Sequence, residues 1–250
     1  MPDILSQVLE IQGLGWLLLA VVVAGIVRGF SGFGAAMIIM PVAGTVLGPV
    51  GALTFLTMAE LLGPLPNIPG ALHNANRGDL VRLSLGAAIA MPLGVLALSH
   101  MSPIFFNWLV SLVVLGVLAA LMRGWRYHGT LTPPLVAGAG ALSGVLGGAV
   151  GIAGPPVIMF YMASSLSIAA IRANLLLFLT FIDLLLIATL AAYGLMETGP
   201  VVAGLVFSVP YMVANLLGGR LFGLGSERQF RAVAYGIIAT SAILGLPVWH

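Results

Sequence analysis

Four ionisable side chains lie inside long apolar segments of the chain. They are Arg28, Glu60, Arg172 and Asp183. A charged group at the centre of a membrane-spanning helix costs about 2.5–3.5 kcal/mol on insertion scales, so each of the four is a candidate for function. The planar guanidinium of Arg28 can bind an oxyanion through two parallel hydrogen bonds. Glu60 and Asp183 lie near the centres of their segments, where a carboxyl group can carry a coupling proton.

Three of these residues also have structural explanations. An ion pair between Arg28 and Glu60 would satisfy both charges without any ligand. Arg172 lies about five residues from the end of its segment, where a long side chain can reach the membrane surface. These alternatives stay open beside the functional ones.

The segment that contains Arg28 is broken by glycines, and the break occurs twice in the chain. A shift of 119 residues places residues 25–40 on residues 144–159 and superposes three glycine pairs. Matching breaks in the two halves of a membrane protein are a strong pointer to the binding site of a transporter. The pairs are Gly25 and Gly144, Gly29 and Gly148, and Gly32 and Gly151.

The chemistry of these breaks suits an anion. Glycine allows the backbone conformations of an unwound segment, and Pro155-Pro156 fits the first turn of a helix. Each break should therefore begin a half-helix whose free N–H groups and positive dipole end face the protein interior. The candidate substrate-binding residues at the breaks are Ser31, Gly32, Gly34, Gly151 and Gly154. The alternative is that the glycines only allow close helix packing.

Uncharged polar residues within the apolar segments complete the candidate site. Tyr161 and Asn174 are further candidates for substrate binding, and Asn67 and Asn215 are polar residues of the same kind. Each of them could instead form a hydrogen bond between helices.

The composition identifies the environment in which these residues lie. Hydrophobic residues make up 60% and charged residues 6% of the 250 residues, whereas soluble domains carry about 25% charged residues. We therefore expect one polytopic membrane domain over residues 1–250. The absence of Cys excludes disulfides and thiolate chemistry, and no His or carboxylate cluster is spaced for a metal. We expect no cofactor and no nucleic-acid partner, and Asp3 and Glu10 argue against a cleavable signal peptide.

The apolar residues fall into eight segments, of which two contain the glycine breaks. The unbroken segments have the length of single helical crossings, whereas a broken segment of about 33 residues would extend about 50 Å as one helix. It is therefore predicted to fold as a hairpin. The segments are 14–46, 50–71, 80–99, 103–122, 132–164, 167–194, 198–219 and 232–248.

The arginine-bearing loops test this prediction. Arginines between positions 73 and 82, 123 and 128, and 220 and 231 should all lie on the cytoplasmic side. This requires segment 132–164 to return to the side that it left. The two halves, 11–125 and 129–250, are then inverted repeats, each with a hairpin and three transmembrane helices. A second shift, of 118 residues, places Gly86 on Gly204 and Pro92 on Pro210 and extends the repeat.

The two breaks and the two-half layout resemble the sulfite exporter TauE/SafE family of membrane anion permeases. The resemblance rests on residues 29–34 and 144–156 and covers nearly the whole chain. It implies transport of small sulfur-containing or organic anions, such as sulfite, sulfoacetate or other sulfonates, across a bacterial inner membrane. We expect a non-enzymatic secondary transporter that works in export, with proton coupling and a homodimer left open.

Two other functions are kept as alternatives. A passive anion channel could also use dipole-lined breaks. Residues 29–32, Gly-Phe-Ser-Gly, resemble the nucleophile motif of rhomboid intramembrane proteases. However, His73, His100, His128 and His250 lie in loops or at the terminus, and the second break has no serine at the matching position. The protease is therefore the weaker alternative.

Overall fold

The computed structural model describes residues 11–124, 127, 131–161, 166–221 and 227–248. The secondary structure in these ranges is helical, and seven of the helices are long and apolar enough to cross a membrane. The predicted all-α polytopic fold is confirmed. The helices are α1 (Leu14–Ser31), α2 (Ala35–Glu60), a 3-10 helix (Leu65–Asn67), α3 (Ile68–Asn74), α4 (Arg77–Ser99), α5 (Pro103–Met122), α6 (Pro133–Val150), α7 (Gly154–Tyr161), α8 (Ile168–Ala192), α9 (Thr198–Leu221) and α10 (Glu227–Leu244).

Polar caps begin several of the membrane helices. The side chain of Asn76 accepts a hydrogen bond from Asp79 N at the start of α4, and Ser102 does the same for Phe105 N at the start of α5. The side chain of Ser167 caps α8. Each cap satisfies one of the N–H groups that a first helical turn leaves free.

The first break forms a hairpin between α1 and the first part of α2, residues 35–47, which we call α2a. Gly32 ends α1 with φ 80° and Gly34 precedes α2a with φ 93°, both in the left-handed region that glycine tolerates. The chain then returns toward the start of α1, because residues 13 and 46 lie next to each other. A Cβ atom on Gly13 would be 3.0 Å from the side chain of Val46. The predicted hairpin over 14–46 is therefore present.

Gly48 interrupts α2 with φ 69° and ψ 179°, and the chain reverses again. Residues 49–60, which we call α2b, lie beside the first half of α9, since Gly51 faces Pro200 and Met58 faces Gly204. Because the residue numbers at the facing positions increase in the same direction in both helices, α2b runs parallel to α9. Helix α1 also runs parallel to α9. Segment α2a therefore runs antiparallel to both α1 and α2b and connects them.

The second break has the same local geometry. Gly151 ends α6 with φ 75°, and its N–H donates to Gly147 O at 3.0 Å, as in a left-handed glycine C-cap. Helix α7 then returns, because Tyr127 N, which precedes α6, donates to Met159 O at 3.3 Å. Residues 162–164 of the predicted hairpin lie outside the described part of the chain.

Close helix packing joins the two halves in a reciprocal way. Helix α1 packs along α9, and α6 packs along α4. Glycines make both contacts possible: a Cβ atom on Gly144 would lie 2.6 Å from Ala87 O, and one on Gly25 would lie 2.8 Å from Tyr211 O. Such small-residue contacts are typical of membrane helix interfaces.

One predicted crossing differs from the structure. The sequence predicts a single helical crossing over segment 50–71, but helix α2 ends at Glu60, and a turn, the 3-10 helix and α3 follow. Pro64, Pro66 and Pro69 lie in this stretch, and proline removes the N–H that a continuous helix needs. The break leaves space beside α1.

Candidate functional site

The tips of the two hairpins meet at a small cavity of about 30 Å³. Three of the four intramembrane ionisable residues, Arg28, Glu60 and Asp183, lie in its wall. The rest of the lining comes from residues 33–37 of the first tip, residues 151–155 of the second, and Leu179 and Ile182 of α8. The structure thus brings the paired breaks and the buried charges into one place.

Glu60 is held at both carboxylate oxygens. Arg28 Nη1 forms a salt bridge with Glu60 Oε2, and the hydroxyl group of Tyr211 donates to Glu60 Oε1 at 3.3 Å. The side chains of Arg28 and Glu60 are 11% and 4% exposed. The pair is therefore a satisfied buried ion pair, which is the condition that a buried charge requires.

Asp183, on α8, is the third ionisable residue of this cavity. It is 8% exposed, and its Oδ2 atom has no hydrogen-bond partner among the described residues. Glu60 and Asp183 thus differ in their surroundings although both carboxyl groups line the same cavity.

The two helix ends at the cavity are not chemically equivalent. The first turn of α2 supplies the backbone N–H groups of Ala35, Ala36 and Met37, whereas Pro155 and Pro156 remove two N–H groups from the first turn of α7. The first tip is therefore the stronger donor toward an anion.

A larger cleft of about 630 Å³ lies on the other side of Arg28. Its mouth is formed by exposed residues at the ends of three helices, Asn74, Arg172 and Arg220. These helix ends lie on the side of the protein that carries the arginine-bearing loops, which were predicted to be cytoplasmic. Since Arg28 lines both spaces, its side chain stands between the open cleft and the small cavity.

The predicted binding residues divide between these spaces, with one exception. Those in the small cavity are Gly34, Gly151 and Gly154 together with Arg28, Glu60 and Asp183. Those in the cleft are Arg28, Ser31, Gly32, Asn67, Arg172 and Asn215.

The exception is the pair Tyr161 and Asn174, which lines neither space. Asn174 Nδ2 donates to Tyr161 Oη at 2.9 Å, and Asn174 Oδ1 accepts from Asn76 N at 2.8 Å. These bonds join α7, α8 and the start of α4. The geometry favours the helix-linking explanation of these two residues.

Ser31 is bonded to backbone rather than to a base. Its hydroxyl oxygen lies 2.7 Å from Val27 O and 2.6 Å from Phe33 O. The two histidines in the described ranges, His73 and His100, line neither the cleft nor the cavity. The resemblance to a protease motif therefore gains no support from these residues.

Sequence reasoning missed Tyr211. Its side chain is fully buried, and its ring lies against Gly63, where a Cβ atom would be 2.7 Å from ring atom Cε1. A signal was available, because a tyrosine directly after Pro210 in the middle of an apolar segment must find a partner for its hydroxyl group.

Comparisons with known proteins identify the family of the chain. The protein-family model "Sulfite exporter TauE/SafE" matches residues 17–244. A relative from Cupriavidus necator, described as a probable sulfite/organosulfonate exporter TauE, is 26% identical over 224 residues, which are 87% of this chain and 88% of the relative. No solved structure gives a significant match. Because the family match spans both glycine breaks and nearly every helix, this multi-pass membrane protein belongs to the sulfite exporter TauE/SafE family.

Proposed function

We propose that the protein is a secondary transporter that exports small sulfur-containing or organic anions across the bacterial inner membrane. Sulfite, sulfoacetate and other sulfonates are the substrate class. The family match and the description of the Cupriavidus relative as an exporter of such anions support this proposal.

The position of Arg28 is the observation that carries it. This arginine forms the floor of the cleft and also the wall of the small cavity. A guanidinium has five N–H donors, so a side chain that holds Glu60 through Nη1 retains donors for an incoming oxyanion. An anion that enters the cleft therefore meets a cation at the point where the two spaces join.

The shape of the cleft supports export. In the orientation predicted from the arginine-bearing loops, its mouth faces the cytoplasm. The small cavity beyond Arg28 is much too narrow for a sulfonate in this state. The structure is consistent with the loading state of an alternating-access carrier.

The proposal includes an inverted-repeat mechanism over residues 11–125 and 129–250. It is supported by the reciprocal packing, in which the first hairpin arm of each half, α1 or α6, lies along α9 or α4 of the other half. The two tips then meet at a common site. Rocking of one half against the other would expose that site to either side. Glu60 or Asp183 supplies the coupling carboxyl group.

Thermal unfolding of the detergent-purified protein with a panel of anions tests the substrate class. The panel contains sulfite, sulfoacetate, taurine, sulfate, acetate and chloride. A ligand that binds only the folded state at 100 times its Kd adds about 2.7 kcal/mol of stability. We expect a saturable shift for sulfite or a sulfonate and a smaller one for acetate and chloride.

The matched variants remove whole ion pairs, so that neither leaves a lone buried charge. Arg28→Gln/Glu60→Gln removes the pair at the site and should abolish the shift. Arg82→Gln/Asp79→Asn removes an exposed pair at 3.1 Å that lines neither space, and it should leave the shift unchanged. No shift with any anion, or equal shifts in all three proteins, would refute the proposed site.

A further inference from the structure

We propose that Asp183 carries the coupled proton of the transport cycle, while Glu60 stays ionised as the fixed partner of Arg28. This inference rests on the proposed transport function and assigns different roles to the two carboxyl groups of the small cavity. An anion and a proton then cross the membrane together.

The hydrogen-bond partners separate the two carboxyl groups. Both oxygens of Glu60 are engaged, one by the charge of Arg28 and one by Tyr211. Such an arrangement compensates the charge of a carboxylate. Asp183 Oδ2 is buried without a partner among the described residues, and burial of an unpaired charge is costly. In the state seen here, Asp183 is therefore the neutral carboxylic acid.

Few other titratable groups lie near Asp183. Arg28 of α1 and Glu60 of α2 are the titratable side chains in the lining of its cavity, to which the second tip and the start of α7 contribute residues 151–155. Helices α3 and α4 also pack against α8, but their described titratable residues lie outside this lining: His73, Arg77, Asp79 and Arg82. Arg28 is thus the one cation in the lining of this cavity.

The net charge of the site in its two states then defines the transport cycle. When Asp183 loses its proton, its carboxylate competes with the substrate for Arg28, and the site holds one positive and two negative charges. When Asp183 is protonated and a monovalent anion is bound, the sum is the same. The proton comes from water on the side to which the site is open and returns to water on the opposite side. Because the site charge is constant, the cycle is electroneutral, and the net flux follows the sum of the anion gradient and the pH gradient. Export therefore runs down an outward anion gradient and is not driven by an inward proton gradient.

The cavity favours a proton over a metal cation as the coupling ion. Hard cations require several oxygen ligands, whereas this lining is largely apolar around one unpartnered carboxyl oxygen. No group of three or more His, Cys, Asp or Glu suited to a metal occurs among the described residues. A volume of about 30 Å³ is enough for about one or two water molecules that could conduct a proton.

Infrared difference spectroscopy tests the protonation without any substrate. At neutral pH, the purified protein should show the C=O band of a neutral carboxylic acid. This band should be lost in Asp183→Asn and kept in Arg28→Gln/Glu60→Gln, which removes the ion pair without leaving an unpaired cation beside Asp183. Asp79→Asn, at a partly exposed position that lines neither space, is the matched control and should keep the band. A band that persists in Asp183→Asn, or that disappears in Arg28→Gln/Glu60→Gln, would overturn the assignment.

Transport in proteoliposomes tests the coupling. With labelled sulfoacetate, Asp183→Asn should keep exchange at equal pH but lose accumulation driven by a pH gradient, down to the level of empty liposomes. Its flux should instead respond to membrane potential. Continued pH-driven accumulation in this variant, or loss of exchange together with coupling, would contradict the proposal. If the wild-type protein moves no sulfonate or sulfite at all, the proposed function fails, while the infrared result still decides the role of Asp183.

Discussion

Three ionisable residues in a largely apolar chain account for most of the chemistry at the candidate site. Arg28 and Glu60 neutralise each other, and Asp183 lies in the same cavity without a partner for Oδ2. Removal of one member of a buried ion pair costs about 3–5 kcal/mol because the other charge is left uncompensated. A single variant such as Arg28→Ala therefore lowers the stability of the fold as well as the affinity for substrate. Variants that remove both charges of the pair are the better probes.

Tyr211→Phe should weaken the site without removing a charge. The change deletes the hydrogen bond to Glu60 Oε1 and keeps the ring that packs on Gly63. We expect a loss of about 0.5–2 kcal/mol in stability and slower transport, because Glu60 is less firmly held. Tyr193→Phe, at a position that is 46% exposed, is the control in thermal unfolding. Equal melting temperatures for the two variants would mean that the Tyr211 bond contributes nothing.

Sequence alone predicted the charged part of this site but not its neutral partners. Arg28, Glu60 and Asp183 are conspicuous because a charge inside an apolar segment needs an explanation. Tyr161, Asn174 and Tyr211 were not distinguishable in the same way, since the direction of a polar side chain around its helix depends on tertiary packing. The structure places Tyr211 at the site and binds Tyr161 to Asn174 away from it.

At the scale of helices, glycine has two different physical roles. Gly32 and Gly151 supply left-handed backbone at the ends of α1 and α6, as their matched positions in the repeat predicted. Glycines inside α4, α6, α1 and α9 instead allow backbones to approach closely. The sequence repeat contains both kinds, which is why the packing alternative and the hairpin prediction both describe the structure.

Two glycines of α6 provide a matched test of helix packing. A Cβ atom on Gly140 would lie 2.7 Å from the Cα atom of Leu83, whereas one on Gly138 would meet nothing within 4 Å. Gly140→Ala should destabilise the protein by about 1–3 kcal/mol through overpacking of α6 on α4. Gly138→Ala should be neutral or stabilising, because Ala is favoured over Gly in a helix by about 1 kcal/mol. If thermal unfolding shows similar losses for both variants, the close approach of α4 and α6 is wrong.

At the scale of the whole molecule, the two returning hairpins decide the topology. The parity of the arginine-bearing loops predicted that segment 132–164 returns, and the bond between Tyr127 and Met159 agrees with this. The boundaries were less predictable: the prolines after Glu60 divide a segment that hydropathy alone treats as continuous. The inverted relation of the two halves stays a prediction.

Cysteine labelling can test this topology cleanly, because the chain contains no Cys. His100 and Glu197 are exposed and are separated by α5, the second hairpin and α8. If the hairpin returns, His100→Cys and Glu197→Cys should both react with an impermeant maleimide on intact cells. Asn74→Cys should react only after permeabilisation. Labelling of His100→Cys and Glu197→Cys from opposite sides would show that segment 132–164 crosses once.

The most direct test of anion transport through the Arg28 site is the flux of labelled sulfoacetate and sulfite into proteoliposomes. We predict saturable uptake that unlabelled anion inside the vesicles accelerates, as expected for a carrier. Arg28→Gln/Glu60→Gln should reduce this uptake to the level of empty liposomes, whereas Arg82→Gln/Asp79→Asn should retain it. Uptake that rises linearly with concentration would indicate a channel, and uptake that is unchanged by loss of the Arg28–Glu60 pair would contradict the proposed site.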